Sequence, residues 1–146
     1  MKEYMPRIAD KILKQKLEHM GGVLIEGCKC CGKSTTAKQV AKSYIEFQDP
    51  DRKIQYDKIS TTKPSIFLEG EKSRLFDEWQ MYPVVWDSIR TDVDRTGLKG
   101  QYILTCSARP AEKYGEPSFL MVLTADEYSY KREDGIYVVS IGSLKD

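Results

Sequence analysis

Residues Gly27-Cys28-Lys29-Cys30-Cys31-Gly32-Lys33-Ser34 fit the spacing G-x4-G-K-[ST], a pattern suited to cradling phosphate. Glycines let the backbone curl until successive N–H groups point inward at phosphate oxygens. A helix starting at the end of the loop adds its positive N-terminal end. Lys33 offers a point charge to the β and γ phosphates, and Ser34 offers a hydroxyl to a magnesium ion. The candidate phosphate contacts are therefore Gly27, Cys28, Lys29, Cys30, Cys31, Gly32, Lys33, Ser34 and Thr35. The competing reading is a glycine-containing turn with a chance lysine.

A second group of candidates lies downstream. Asp77-Glu78 comes after the short apolar run Leu75-Phe76. An aspartate at a strand end can hold Mg²⁺ together with Ser34, and the next glutamate can orient or deprotonate an attacking water. The alternative is a solvated acidic pair at a turn. Thr105 and Ser107 close the next apolar run, where a hydroxyl could reach the γ-phosphate or the water, or could simply cap a turn. Arg109 could face phosphate or solvent. Trp79, Tyr82 and Trp86 read as core residues before they read as a base-stacking platform. The catalytic candidates are thus Lys33, Glu78 and Ser107, and the metal candidates Ser34 and Asp77.

Three of the four cysteines, Cys28, Cys30 and Cys31, crowd into the loop, with Cys106 apart. Adjacent cysteines make a poor disulfide framework. A zinc site needs paired, spaced ligands, and the single histidine, His19, precedes the loop. The helix N-terminus and Lys29 would favour thiolate character, so that oxidation would block nucleotide binding. The plainer reading makes the thiols small loop-lining groups.

These side chains need a frame. The 146 residues suit one domain, and 40% hydrophobic against 31% charged residues is a globular composition. A net charge of +1 supplies no field for nucleic acid or an anionic membrane. Charges interrupt every apolar stretch near the N-terminus, so no leader is expected, and a cytoplasmic location is the default expectation. Ile8 to Met20 has helical apolar spacing, ended by Gly21-Gly22. Val23-Leu24-Ile25 suits a buried parallel strand. A helix should begin near Lys33, a strand near Tyr44–Phe47 and a turn at Gln48–Asp51. Residues 51–62 are polar and show no clear period. Pro64–Leu68 suits a short helix, Arg74–Asp77 a strand, the residues after Pro83 a helix to Gly97, and Gln101–Thr105 a strand. Beyond Pro117, Phe119–Thr124 and Ile136–Ile141 are β-rich and Asp134-Gly135 is a hairpin signal between them. The fold class is α/β: a P-loop NTPase-like parallel sheet flanked by helices, incomplete, with a C-terminal antiparallel β-hairpin pairing those two runs.

Several segments resemble one family. Ile8-Ala9-Asp10, Val23–Gly27, Gly32–Thr36, Gln48–Asp51, Leu75-Phe76-Asp77-Glu78-Trp79-Gln80 and Ile103–Ala108 are similar to prokaryotic AAA-type ATPases with a nuclease-like C-terminal domain of unknown function. The likeness covers about residues 1–112. It implies that Lys33 and Ser34 bind phosphate and Mg²⁺, that Asp77 and Glu78 form the acidic Walker B pair, and that Ser107 or Thr105 stands at the sensor position. The tail from Pro117 to Asp146 resembles the family's extreme C-terminus, whereas full members are far longer. An internal deletion with a seam near Glu112–Glu116 accounts for that, dividing the chain into an ATPase core at 1–112 and a tail at 113–146. One tail strand would then replace a lost sheet strand, or pair with another copy of the chain along an exposed edge.

The function so implied is Mg-dependent ATP binding with weak or absent hydrolysis. A non-enzymatic interaction module and a small-substrate P-loop kinase with a lid near Arg109 and Lys113 are the rivals. Self-association is an implied partnership; nucleic acid and membrane are not indicated.

Overall fold

The computed structural model describes residues 4–107, 120–124, 130–131 and 137–140. Alternation along the strands decides the architecture. In β1 (Gly22–Glu26), β3 (Arg74–Asp77) and β4 (Tyr102–Cys106), Val23, Ile25, Leu75 and Ile103 face one way. Leu24, Phe76, Tyr102, Leu104 and Cys106 face the other. A strand that is apolar on both faces must be covered on both. The first face is covered by α1 (Ile8–His19) through Ala9, Leu13 and Leu17, and by α2 (Lys33–Val40) through Ala37. The second is covered by α4 (Val84–Thr96) through Val85, Trp86 and Ile89, and by α3 (Lys53–Thr62) through Tyr56. The result is an α/β/α sandwich.

The described strands form one sheet in the order β2-β3-β4-β1-β5-β7-β6, with β2 at Ser43–Glu46, β5 at Leu120–Thr124, β6 at Tyr130–Lys131 and β7 at Tyr137–Ser140. All neighbours run parallel except β6 and β7. Gly22 pairs with Tyr102 through to Glu26 with Cys106, so β1 and β4 finish level. A tail strand does join the sheet: β5 lies parallel to β1, with Leu24 opposite Leu120.

The hairpin expectation needs one correction. Phe119–Thr124 and Ile136–Ile141 are expected as antiparallel partners, but β5 and β7 lie parallel. The antiparallel partner of β7 is β6, with Tyr130 opposite Val138. Two residues, Tyr130-Lys131, are too few to show apolar alternation, so that strand has no sequence signal. The Asp134-Gly135 turn, Arg109, Lys113 and the seam near Glu112–Glu116 lie outside the described residues.

α3 fills the span without a legible period. Asp49 opens it: its carboxylate accepts from the Asp51 N–H at 3.0 Å, and Pro50 begins a 3₁₀ turn. Only Tyr56 of the helix is buried, which is why no stripe shows. At α1 the Asp10 carboxylate reaches back to the Arg7 N–H at 2.8 Å and accepts from Tyr4 Oη at 2.6 Å. α4 ends on Gly97 at φ 64°, a left-handed stop that glycine takes without a Cβ clash.

Candidate functional site

Parallel strands point their C-terminal ends the same way, and β1, β4 and β3 are neighbours. The segments leaving those ends must meet at one corner, the usual ligand crevice of an open α/β sheet. β1 runs into the phosphate loop, while β3 and β4 end in Asp77-Glu78 and Thr105–Ser107.

The loop is closed from within. Lys33, 4% exposed, donates from Nζ to the carbonyls of Gly27 at 3.0 Å and Cys28 at 2.7 Å. Its third donor meets only Cys31 Sγ at 3.9 Å, a weak acceptor. That third donor is the one a phosphate oxygen can take. Gly32 stands at φ 90° as α2 begins, and a Cβ there would lie 2.1 Å from Arg7 Nη1. Arg7 Nη1 donates to the Gly32 carbonyl at 3.3 Å. The strand of chain ahead of α1 is thereby seated on the loop.

The acidic pair is tied to both sides. Ser34 Oγ donates to Asp77 Oδ1 at 2.5 Å, joining α2 to the end of β3. Thr105 Oγ1, fully buried, donates to the same carboxylate oxygen and accepts the Glu78 N–H at 3.2 Å. Glu78 is 7% exposed and takes a left-handed turn at φ 56°. This bend swings its side chain across to β4. There Glu78 Oε2 accepts from Ser107 Oγ at 2.5 Å, from the Ser107 N–H at 3.3 Å and from Gln80 Nε2. Burial pushes the Glu78 carboxyl up, but the bonds from Ser107 and Gln80, with Lys33 nearby, outweigh it and hold it below the usual glutamate range. The group is a carboxylate at neutral pH.

The candidates named from sequence sort clearly. Lys33, Ser34, Asp77, Glu78, Thr105 and Ser107 form one connected corner beside Gly27, Cys28, Cys31 and Gly32. Lys29 and Thr35 are exposed; Thr35 adds only its carbonyl, to Gln39. Trp79 and Trp86 are core residues with ring centroids 5.3 Å apart. Thiolate character is corrected at Cys31: burial raises its thiol above the usual value against the pull of Lys33. Two contributors have no role assignable from sequence. Gln80 grips Glu78, and its only signal is the Asp-Glu-Trp-Gln run. Arg7 has none.

The family model described as AAA domain matches residues 21–119. The chain belongs to the AAA domain family. No curated protein and no solved structure matches it. Membership makes this AAA domain a nucleotide-binding protein of the P-loop ATPase type, and the loop between β1 and α2 is the candidate for its phosphate-binding element by spacing. The donor set also fits a small hard cation: Ser34 and Asp77 present oxygen only, as Mg²⁺ prefers. Among the described residues no helix is long and apolar enough to cross a membrane.

Proposed function

We propose that this AAA domain binds ATP with Mg²⁺ and hydrolyses it slowly. The observation that carries the reading is the 2.5 Å contact between Ser34 and Asp77, which links the phosphate loop to the acidic strand end. Bound ATP-Mg²⁺ would supply the reactive phosphoanhydride and neutralise charge on it. The chain's own residues do the rest. Lys33 would turn its third donor from Cys31 Sγ to a phosphate oxygen. Ser34 and Asp77, now bonded to each other, would be the residues that hold the cation. Thr105 keeps Asp77 in place and fixes the Glu78 backbone.

Slow turnover is a consequence of Glu78. Glu78 is the general base in this reading, and three donors stabilise its ionised form. A base held below its usual range removes a proton from water weakly. A cation supplied in trans at the γ-phosphate would raise the rate by roughly 10³–10⁵. Self-association could present such a cation; sedimentation with and without Mg-ATP tests that part.

The test of the main reading is thermal unfolding of reduced protein with Mg-ATP, beside Lys33→Ala. Ligand at a hundredfold excess over Kd stabilises by about 2.7 kcal/mol. A shift in the parent that disappears in the variant is expected. No shift in the parent at millimolar nucleotide would overturn the reading in favour of a non-enzymatic interaction module.

A further inference from the structure

Cys28 and Cys31 are three residues apart on one turn. The Cys31 N–H donates to the Cys28 carbonyl at 3.4 Å, and Cys30 between them takes φ 64°. That is a β-turn with a left-handed third residue, which brings its first and fourth Cα atoms within about 7 Å. Disulfides span roughly 4.4–6.8 Å between Cα atoms. Cys28 is exposed, so an oxidant can reach it, while Cys31 stands behind it against Lys33 at 3.9 Å.

We propose that Cys28 and Cys31 are a redox-active dithiol, and that their oxidation to a disulfide by a hydroperoxide closes the phosphate loop to nucleotide. The effect on nucleotide rests on the ATP-binding reading above; the disulfide itself does not.

The chemistry balances with peroxide as oxidant. Cys28 sulfur attacks one peroxide oxygen, the O–O bond breaks and water leaves, giving a sulfenic acid. Cys31 sulfur attacks that sulfur, the S–S bond forms and the hydroxyl leaves as a second water. Two thiols and one hydrogen peroxide yield one disulfide and two waters.

The coupling to nucleotide comes from a shared N–H group. A phosphate cradle needs loop N–H groups aimed at phosphate. In this turn the Cys31 N–H is engaged by the Cys28 carbonyl, and the Cys31 sulfur occupies the third donor of Lys33. A disulfide across the turn holds both arrangements in place. Coupling is reciprocal, so bound nucleotide must oppose oxidation by the same factor.

The experiment treats the reduced 146-residue chain with hydrogen peroxide, maps linked peptides by mass, and titrates a fluorescent ATP analogue with Mg²⁺ into both forms. A Cys28–Cys31 link is expected, with affinity at least about tenfold weaker and restored by dithiothreitol. Cys30→Ser should still form the link, whereas Cys28→Ser should not, and peroxide should leave that variant's own affinity, whatever its value, unaltered. A dithiothreitol redox titration adds a second readout. Saturating Mg-ATP should raise the reduction potential by ~30 mV for each tenfold of coupling. A disulfide through Cys30, sulfinic acid in place of a disulfide, or equal affinity in both forms overturns the proposal. Reduced protein that binds no nucleotide sinks the ATP reading alone, and the peptide map then still decides the dithiol.

Discussion

Phe47 lies among Tyr56, Phe67, Phe76 and Tyr82 with ring centroids 4.9–6.1 Å away, whereas the ends of β1, β3 and β4 carry an ammonium, two carboxylates and three hydroxyls. The aromatic layer under α3 and α4 coheres by apolar contact and edge-to-face ring packing, which depends on shape and volume. The site corner coheres as a chain of donors and acceptors, in which each member satisfies the next. The two regions meet between adjacent residues. Glu78 belongs to the corner and Trp79, 1% exposed, to the aromatic layer. The left-handed bend at Glu78 and the 3₁₀ turn Trp79–Met81 make that junction, and Gln80 returns from it to grip Glu78. Packing on one side therefore aims chemistry on the other.

Removing the anchor tests this most severely. Trp79→Ala should cost about 3–5 kcal/mol of stability, as large aromatic truncations do. Phe47→Ala should cost a similar amount from the same layer. If the junction argument holds, Trp79→Ala also impairs hydrolysis in the fraction still folded, while Phe47→Ala does not. Denaturant unfolding and a phosphate-release assay on both variants decide it, and equal activities would break the link between the regions.

Next comes the corner alone. Lys33→Ala should abolish the nucleotide-dependent stabilisation of about 2.7 kcal/mol at a hundredfold ligand excess. Without ligand its unfolding midpoint should move far less than that of Trp79→Ala, because Lys33 binds loop carbonyls and not the core. Thr105→Val keeps the volume and deletes one hydroxyl. Asp77 then loses a donor and the Glu78 N–H an acceptor at a buried position, a cost of about 1–3 kcal/mol. Differential scanning calorimetry of the two variants gives the order.

One of these regions is easier to read from sequence than the other. The loop, Asp77-Glu78 and Ser107 are legible because a site needs particular residue types at fixed spacing. The strands around them are legible because buried parallel strands are short apolar runs. The aromatic layer is half legible. Trp79, Tyr82 and Trp86 read as core, but α3 contributes a single buried side chain and so has no stripe. Pairing partners are the least legible. β5 and β7 are both β-rich, and nothing local says that they run parallel or that β6 supplies the antiparallel edge. Long-range register is set by the whole sheet, not by the strand. Arg7 is invisible for the same reason: its contact lies 25 residues away at Gly32.

The smallest effect is the most particular to the corner. Glu78 is held below the usual glutamate range, which lies near pH 4.3 in unfolded chains. A carboxyl with a depressed folded value binds fewer protons folded than unfolded around that range. Its contribution is fully present above the unfolded value and is lost as pH falls through the lower folded one. Glu78→Gln has no such group. At pH 7 the parent should be the more stable by under about 1.5 kcal/mol, and the gap should close as pH drops below about 4.3. Asp92 is also held low, by its bond from Tyr102, but it is common to both proteins and cancels in the difference. Unfolding midpoints of the pair at pH 7, 5, 4 and 3 make the measurement. A gap that stays constant across that range would mean that Ser107 and Gln80 do not favour the carboxylate, and the argument for a weakened base would go with it.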